Sequence, residues 1–79
     1  MRIPVNENYR IKEKPGTYIF YARDAARHER KRCYSVAADC WRLAELRAVN
    51  PINRAFAKAR LEFCIKAMEA TLRQMVVAP

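Results

Sequence analysis

The scarcity of glycine constrains the fold of this chain more than any other feature. Only one of its 79 residues is glycine, at Gly16, and four are proline. The tight turns of a many-stranded β fold depend on these two residue types. The sequence therefore favours an all-α protein. The length allows one small domain and excludes a two-domain enzyme.

The chain divides into an N-terminal arm and a helical domain. Residues 1–16 hold the glycine, two of the prolines and a short polar run, which predicts an irregular arm. Residues 17–79 form the helical domain, in which apolar residues recur at helical spacing. We expect the first two helices to form an antiparallel hairpin like that of a tetratricopeptide repeat, with a longer third helix packed across it. The three helices are predicted at about 17–31, 35–49 and 51–75.

Two local signals define where helices begin. Thr17 follows the Pro15-Gly16 break and can cap the first helix. Asn50 and Pro51 end the second helix and start the third, with Asn50 as the cap and Pro51 at the first helical position.

The third helix carries two apolar stripes. The first stripe is Ile52, Phe56, Ala59, Phe63, Ala67 and Ala70, and the second is Leu61, Cys64, Ile65, Met68, Leu72 and Met75. Two shorter helices can cover only one side of it, so we expect the second stripe to contact a partner. The alternative is that the first two helices straddle the third and cover both stripes. Ile19 and Phe20 form a second candidate edge. The predicted partner-binding residues are Leu61, Ile65, Met68, Leu72, Ile19 and Phe20.

A set of aromatic and alanine residues is expected in the core, because aromatic residues at helical spacing usually pack inside. The predicted core residues are Tyr34, Ala37, Trp41, Ala44, Phe56 and Phe63. Arg60 and His28 are expected to make hydrogen bonds that fix the packing of the helices.

The positive charge supports a rival interpretation. The chain carries a net charge of +8, which suits a polyanion or an acidic protein surface. The candidate nucleic-acid contacts are Arg23, Arg27, Arg30 and Lys31. The second helix, however, offers only Arg42 and Arg47 to a DNA groove, where a recognition helix usually presents several base-reading side chains.

Catalytic and metal-binding patterns are missing from the sequence. We find no acid–base pair, no nucleophile triad and no phosphate loop, so we expect no enzyme and no cofactor. Cys33, Cys40 and Cys64 lack zinc-ligand spacing and are read as reduced thiols, although Cys33 beside basic residues could act as a redox sensor. No signal-peptide core or membrane span is apparent, which predicts a cytoplasmic protein.

An ordered series of residues covers about residues 21–64. It consists of Ala22-Arg23-Asp24-Ala25-Ala26-Arg27-His28-Glu29-Arg30, then Tyr34, Ala37-Ala38, Trp41 and Ala44, then Asn50-Pro51-x-Asn53 with Ala57, Arg60 and Phe63-Cys64. This series resembles the ANR family, the AraC negative regulators, which are small α-helical bacterial proteins. Phe56 stands where that family's pattern leads us to expect tryptophan, and it keeps an aromatic side chain there.

The resemblance implies a function. ANR proteins bind AraC/XylS-type transcriptional activators, many of which control virulence genes, and block their self-association or DNA binding. It implies no cofactor and no catalysis. The expected partner is therefore an AraC/XylS-type activator in the bacterial cytoplasm, with a homodimer or higher oligomer as a further expectation. The alternative is a small basic DNA-binding regulator.

Overall fold

The chain folds into three helices. A computed structural model describes residues 14–77, with side chains through Met75, and within this range it contains no strand. The helices are α1 (Tyr18–Arg30), α2 (Tyr34–Arg47) and α3 (Pro51–Val77). The all-α, three-helix prediction is thus confirmed. The part of the predicted arm that precedes Lys14 lies outside the described residues.

The N-terminus of α1 is fixed by a turn and a cap. Gly16 adopts a φ of 92°, in the left-handed region that glycine enters without steric cost. Thr17 is then the N-cap, and its Oγ1 accepts a hydrogen bond from the Phe20 backbone N–H at 3.3 Å. The same hydroxyl donates to the Lys14 carbonyl at 2.9 Å, which joins the turn to the helix.

The C-terminus of α1 ends in a left-handed turn at an arginine. The Cys33 N–H donates to the His28 carbonyl and the Arg32 N–H donates to the Glu29 carbonyl, both at 2.9 Å. This is the Schellman pattern, in which the left-handed position usually holds glycine. Here Arg32 holds it with a φ of 62°. The sharp turn lets α2 begin at Tyr34 and fold back along α1.

The turn between α2 and α3 confirms the Asn50-Pro51 signal. The Asn50 Oδ1 accepts hydrogen bonds from the backbone N–H groups of Ile52 at 2.7 Å and Asn53 at 3.2 Å. Pro51 is the first residue of α3, where its missing N–H leaves no bond unmade.

The middle helix, α2, packs against both of its neighbours, whereas α1 and α3 have few direct contacts. The ring of Tyr34 contacts Phe63, with centroids 6.1 Å apart, and the ring of Trp41 contacts Phe56 at 5.7 Å. Residue numbers therefore rise along α2 as they fall along α3, which makes the two helices antiparallel. In this register α3 continues past the N-terminus of α2 for about three to four turns, at 3.6 residues per turn.

The core consists almost entirely of small side chains. Ala37 and Ala44 of α2 are fully buried, and Trp41 is 3% exposed, as the sequence predicts. Tyr34 is half-buried against them. The buried cluster is Ala22, Ala25, Ala37, Ala38, Trp41, Ala44, Ala57 and Cys64. Alanine at each facing position lets helix backbones approach closely, so Trp41 is the one large side chain that the cluster encloses.

Phe56 and Phe63, which we expected in the core, lie at its edge. Phe56 is 53% exposed and Phe63 is 44% exposed. The physical reason is the close approach of α2 and α3. Ala57 and Cys64 occupy the space between these helices, and a phenylalanine ring does not fit there. Each ring instead lies beside the interface with one edge against an aromatic residue of α2.

The sequence suggested that the other helices cover the first stripe of α3 and leave the second for a partner, and the two stripes exchange these roles in the structure. The second stripe supplies Cys64 to the core, with Leu61 and Met68 packed against it. The first stripe is the more exposed one. None of the three helices, within residues 14–77, combines the length and apolar composition that a membrane crossing requires.

Candidate protein-interaction surfaces

The second stripe of α3 changes character along its length. Leu61, Ile65 and Met68 are half-buried, and Leu61 and Met68 pack against the core. Leu72, by contrast, is 58% exposed, and Met75 in the next turn is 67% exposed. The predicted partner surface is thus divided, because its first half also supports the fold.

The C-terminal part of α3 has no tertiary cover in the described structure. Every described side chain from Glu69 to Met75 is exposed. A helical segment as short as residues 69–75 is marginal in water by itself, since isolated helices need about 12–15 residues to persist. We call residues 69–75 the α3 end. A protein that covered its apolar side would stabilise it.

Ile19 and Phe20 lie far from the α3 end. They belong to the first turn of α1, which adjoins the C-terminus of α2 because α1 and α2 are antiparallel. Ile19 is exposed and lines a shallow depression with Arg47 and Val49. Phe20 is half-buried, with its ring 5.2 Å from that of Tyr21. The structure therefore does not join these two residues to the α3 stripe in one surface.

The turn between α2 and α3 presents apolar side chains that we did not predict as a surface. Val49 is 88% exposed and Ile52 is 77% exposed, with Asn50 and Pro51 between them. Leu46 is also exposed nearby in the chain. The sequence shows that apolar residues flank this turn, but it does not show which of them are exposed, since Ala48 beside the same turn is buried.

Glu29 connects all three helices. It belongs to α1, and its carboxylate accepts a hydrogen bond from the Trp41 indole Nε1 of α2 at 3.3 Å. The other carboxylate oxygen pairs with the Arg60 guanidinium of α3. The Glu29 side chain is 12% exposed and largely shielded, whereas Arg60 is 37% exposed. Arg60 thus makes a hydrogen bond that fixes helix packing, as predicted. The His28 side chain lies 3.9 Å from Asp24 of its own helix, and among the described residues it makes no bond to another helix.

A groove opens between α1 and α3 above this pair. The Arg60 guanidinium lies over the face of Phe63, 4.4 Å from the ring centroid, and Phe63 in turn contacts Tyr34. The groove is lined by Ala26, Glu29, Arg30, Tyr34, Arg60 and Phe63. It combines two half-exposed rings with two guanidinium groups and one carboxylate that is already paired.

The four predicted nucleic-acid contacts differ in whether their side chains already interact within the protein. Arg27 pairs with Asp24 of its own helix. Arg23 is half-buried and engaged in an interaction. Arg30 and Lys31 are exposed, and no side-chain partner is found for them among residues 14–77. The C-terminus of α1 therefore carries positive charge that no side chain among the described residues compensates.

The three thiols lie in different environments. Cys33 is exposed at the turn, Cys40 is half-buried and Cys64 is buried. Burial, together with Asp24 beside its Sγ at 3.6 Å, raises the pKa of the Cys40 thiol to about 11. Burial also raises the pKa of Cys64. Both thiols are held in the protonated, unreactive form at neutral pH.

The comparisons with known proteins add no relative. No protein-family model, curated protein or solved structure matches this chain. The residues described above are therefore the basis of the proposals that follow.

Proposed function

We propose that this protein is a negative regulator of transcription that binds an AraC/XylS-type activator and blocks its self-association or its DNA binding. The observation that carries the proposal is the uncovered apolar side of the α3 end, with Leu72 and Met75 largely exposed. The resemblance of residues 21–64 to the ANR family supports the choice of partner.

The α3 end has the chemistry of a helix that docks into an apolar groove. Its apolar residues continue the spacing of Ile65 and Met68, and its charged residues Glu69 and Arg73 border this apolar side. Helices of this kind bind by inserting residues at intervals of three and four into a groove on a partner. Methionine adapts readily to the shape of such a groove. Occupation of a groove that the activator uses for self-association would keep it from forming its active state.

A gel-shift titration tests the proposal. An AraC/XylS-type activator is bound to its promoter DNA, and this protein is added in increasing amounts, with a lane that contains only this protein and the DNA. We expect the activator's shift to disappear while the control lane stays unshifted. An unchanged shift, together with no binding between the two proteins in a pull-down, would contradict the proposal.

Paired substitutions locate the contact. Leu72→Gln and Met75→Gln should weaken inhibition without changing helicity by circular dichroism, because neither residue packs against the core and glutamine keeps a high helix propensity. The matched control is Ile52→Gln, at a comparably exposed apolar residue near the other end of α3. Equal loss of inhibition with all three variants would show that the α3 end is not the contact. Leu61 is unsuited to this test because it also supports the fold.

Direct DNA binding is the second candidate function. The exposed side chains of Arg30 and Lys31 favour it, because neither pairs with a side chain among the described residues. In that case the control lane would itself show a shift. The affinity for DNA would fall steeply as salt is added, because binding releases counterions from the DNA. A shift that also depended on DNA sequence would replace the proposed function with this one.

A further inference from the structure

The groove between α1 and α3 is a built feature of the fold. Its floor is the contact between the largely buried Glu29 carboxylate, Arg60 and the Trp41 indole. Its wall on the α3 side is Phe63, which Arg60 and Tyr34 hold in place. Because partners on all three helices fix these side chains, the groove exists before any ligand enters. A preformed groove binds at a lower entropic cost than a surface that must first become ordered.

The charge around the groove is positive. Arg30 lines it, and Lys31 and Arg32 follow Arg30 in the turn that leads to Tyr34, another lining residue. All three side chains are exposed, and none has an ion-pair partner within the part of the chain that the structure describes. The one carboxylate in the groove, Glu29, is already neutralised by Arg60. A ligand for this groove must therefore carry negative charge.

The groove also offers an apolar contact. Phe63 keeps 44% of its surface exposed although Tyr34 touches it, and the methyl group of Ala26 lies in the opposite wall. Aromatic residues and arginines that stand together at a surface are the residue types that contribute most to protein interfaces. The ligand should therefore bring a large apolar side chain as well as carboxylates.

We propose that this groove binds an acidic segment of a partner protein, with one large apolar side chain of that segment against Phe63 and Tyr34 and its carboxylates at Arg30, Lys31 and Arg32. A second copy of the chain does not fit, because it would bring a further net charge of +8. Single-stranded nucleic acid fits poorly, because Arg60 already covers a face of Phe63, where a base would otherwise stack. The inference goes beyond the proposed function, since it concerns a different surface and its test needs no activator.

Fluorescence anisotropy of labelled peptides tests the groove with the full chain. The first probe is a synthetic peptide in which glutamates alternate with leucine and phenylalanine. The second is polyglutamate of equal length, and the third is oligothymidylate. We expect the first probe to bind at least about ten-fold more tightly than polyglutamate, as one buried apolar anchor allows. Equal affinity for the two peptides, or a preference for oligothymidylate, would overturn the proposal.

Variants locate the binding. Arg30→Glu reverses a charge on an exposed side chain and should weaken the first probe about ten-fold, a typical effect of a charge that contacts a ligand. The matched control is Lys58→Glu, since Lys58 is exposed and lies on the opposite side of α3 from Arg60 and Phe63, at about 100° of rotation per residue. It should change the affinity less than about two-fold, because a solvated distant charge is screened by salt. Equal effects of the two variants would mean that net charge alone attracts the peptide, which would refute the groove.

Phe63→Ala tests the apolar contact and should remove the preference for the first probe over polyglutamate. Its control is Ile52→Ala, which removes an exposed apolar side chain elsewhere on the same helix. Denaturation by urea shows whether each variant is folded. If Phe63→Ala does not fold, the Arg30→Glu result decides the proposal. If Arg30→Glu loses peptide binding but still inhibits the activator in the gel shift, the groove and the proposed function are independent of each other.

Discussion

Glu29 shows how much of this fold depends on a single polar residue. The three helices share a core of alanines that gives little directional information, because small apolar contacts tolerate sliding. The Glu29 carboxylate instead sets the relative position of α1, α2 and α3 through its bonds to Trp41 and Arg60. The sequence indicated that Arg60 would fix packing, but it did not identify Glu29 as the partner, because the two residues lie 31 positions apart.

Removal of this carboxylate should destabilise the whole fold. We expect Glu29→Ala to lower the free energy of unfolding by about 1–3 kcal/mol, because it leaves the indole N–H of Trp41 and the Arg60 guanidinium without an acceptor. Urea denaturation followed by Trp41 fluorescence measures this. Glu29→Gln should cost less, since its amide oxygen still accepts a bond.

The control for that prediction is Asp39→Ala, which breaks the exposed Asp39–Arg42 pair. Exposed pairs contribute less than about 1 kcal/mol. A Glu29→Ala variant no less stable than Asp39→Ala would show that the three-helix contact is unimportant for the fold.

At the scale of elements, the alanines determine how closely the helices approach each other. Ala37, Ala38 and Ala44 of α2 are buried against the neighbouring helices, and the larger side chains other than Trp41 lie at the edges. This arrangement explains why Phe56 and Phe63 are half-exposed and why the second stripe of α3 enters the core. Hydrophobic periodicity detects both stripes, but it does not rank them, because it registers where apolar residues recur and not how closely helices approach.

Enlargement of one interface alanine tests this explanation. Ala44→Leu should lower the free energy of unfolding by about 1–3 kcal/mol, because the added atoms have no space between the closely packed helices. Thermal denaturation measures the loss. The control is Ala55→Leu on the exposed side of α3, which should stay within about 0.5 kcal/mol of the unaltered protein. A stable Ala44→Leu variant would indicate loose packing around α2.

At the scale of the whole molecule, exposed apolar surface favours self-association and the net charge opposes it. A core of alanines buries little apolar area, while Leu46, Val49, Ile52, Leu72 and Met75 are more than half exposed. Exposed apolar groups favour association. The net charge of +8 opposes the approach of a second copy but attracts an acidic partner.

This opposition predicts how self-association depends on salt. We expect the protein to associate weakly with itself at low ionic strength and more strongly as salt is added, because the Debye length falls from about 10 Å at 0.1 M to about 3 Å at 1 M. Sedimentation velocity at low and high sodium chloride measures this. Association that weakens with salt would instead indicate an interface made of ion pairs. Leu72→Gln should reduce the association if the α3 end contributes to it.

The sequence by itself determined the helical class, the three helices and the capped turn at Asn50 and Pro51. These features depend on local chemistry, such as one glycine, side-chain caps and apolar spacing, which is complete within a few residues. Only the tertiary structure decided which stripe of α3 faces the core, which aromatic rings stay exposed and that Glu29 meets Arg60. These features depend on the distance between helix axes, which distant alanines set together, and no local pattern encodes that distance.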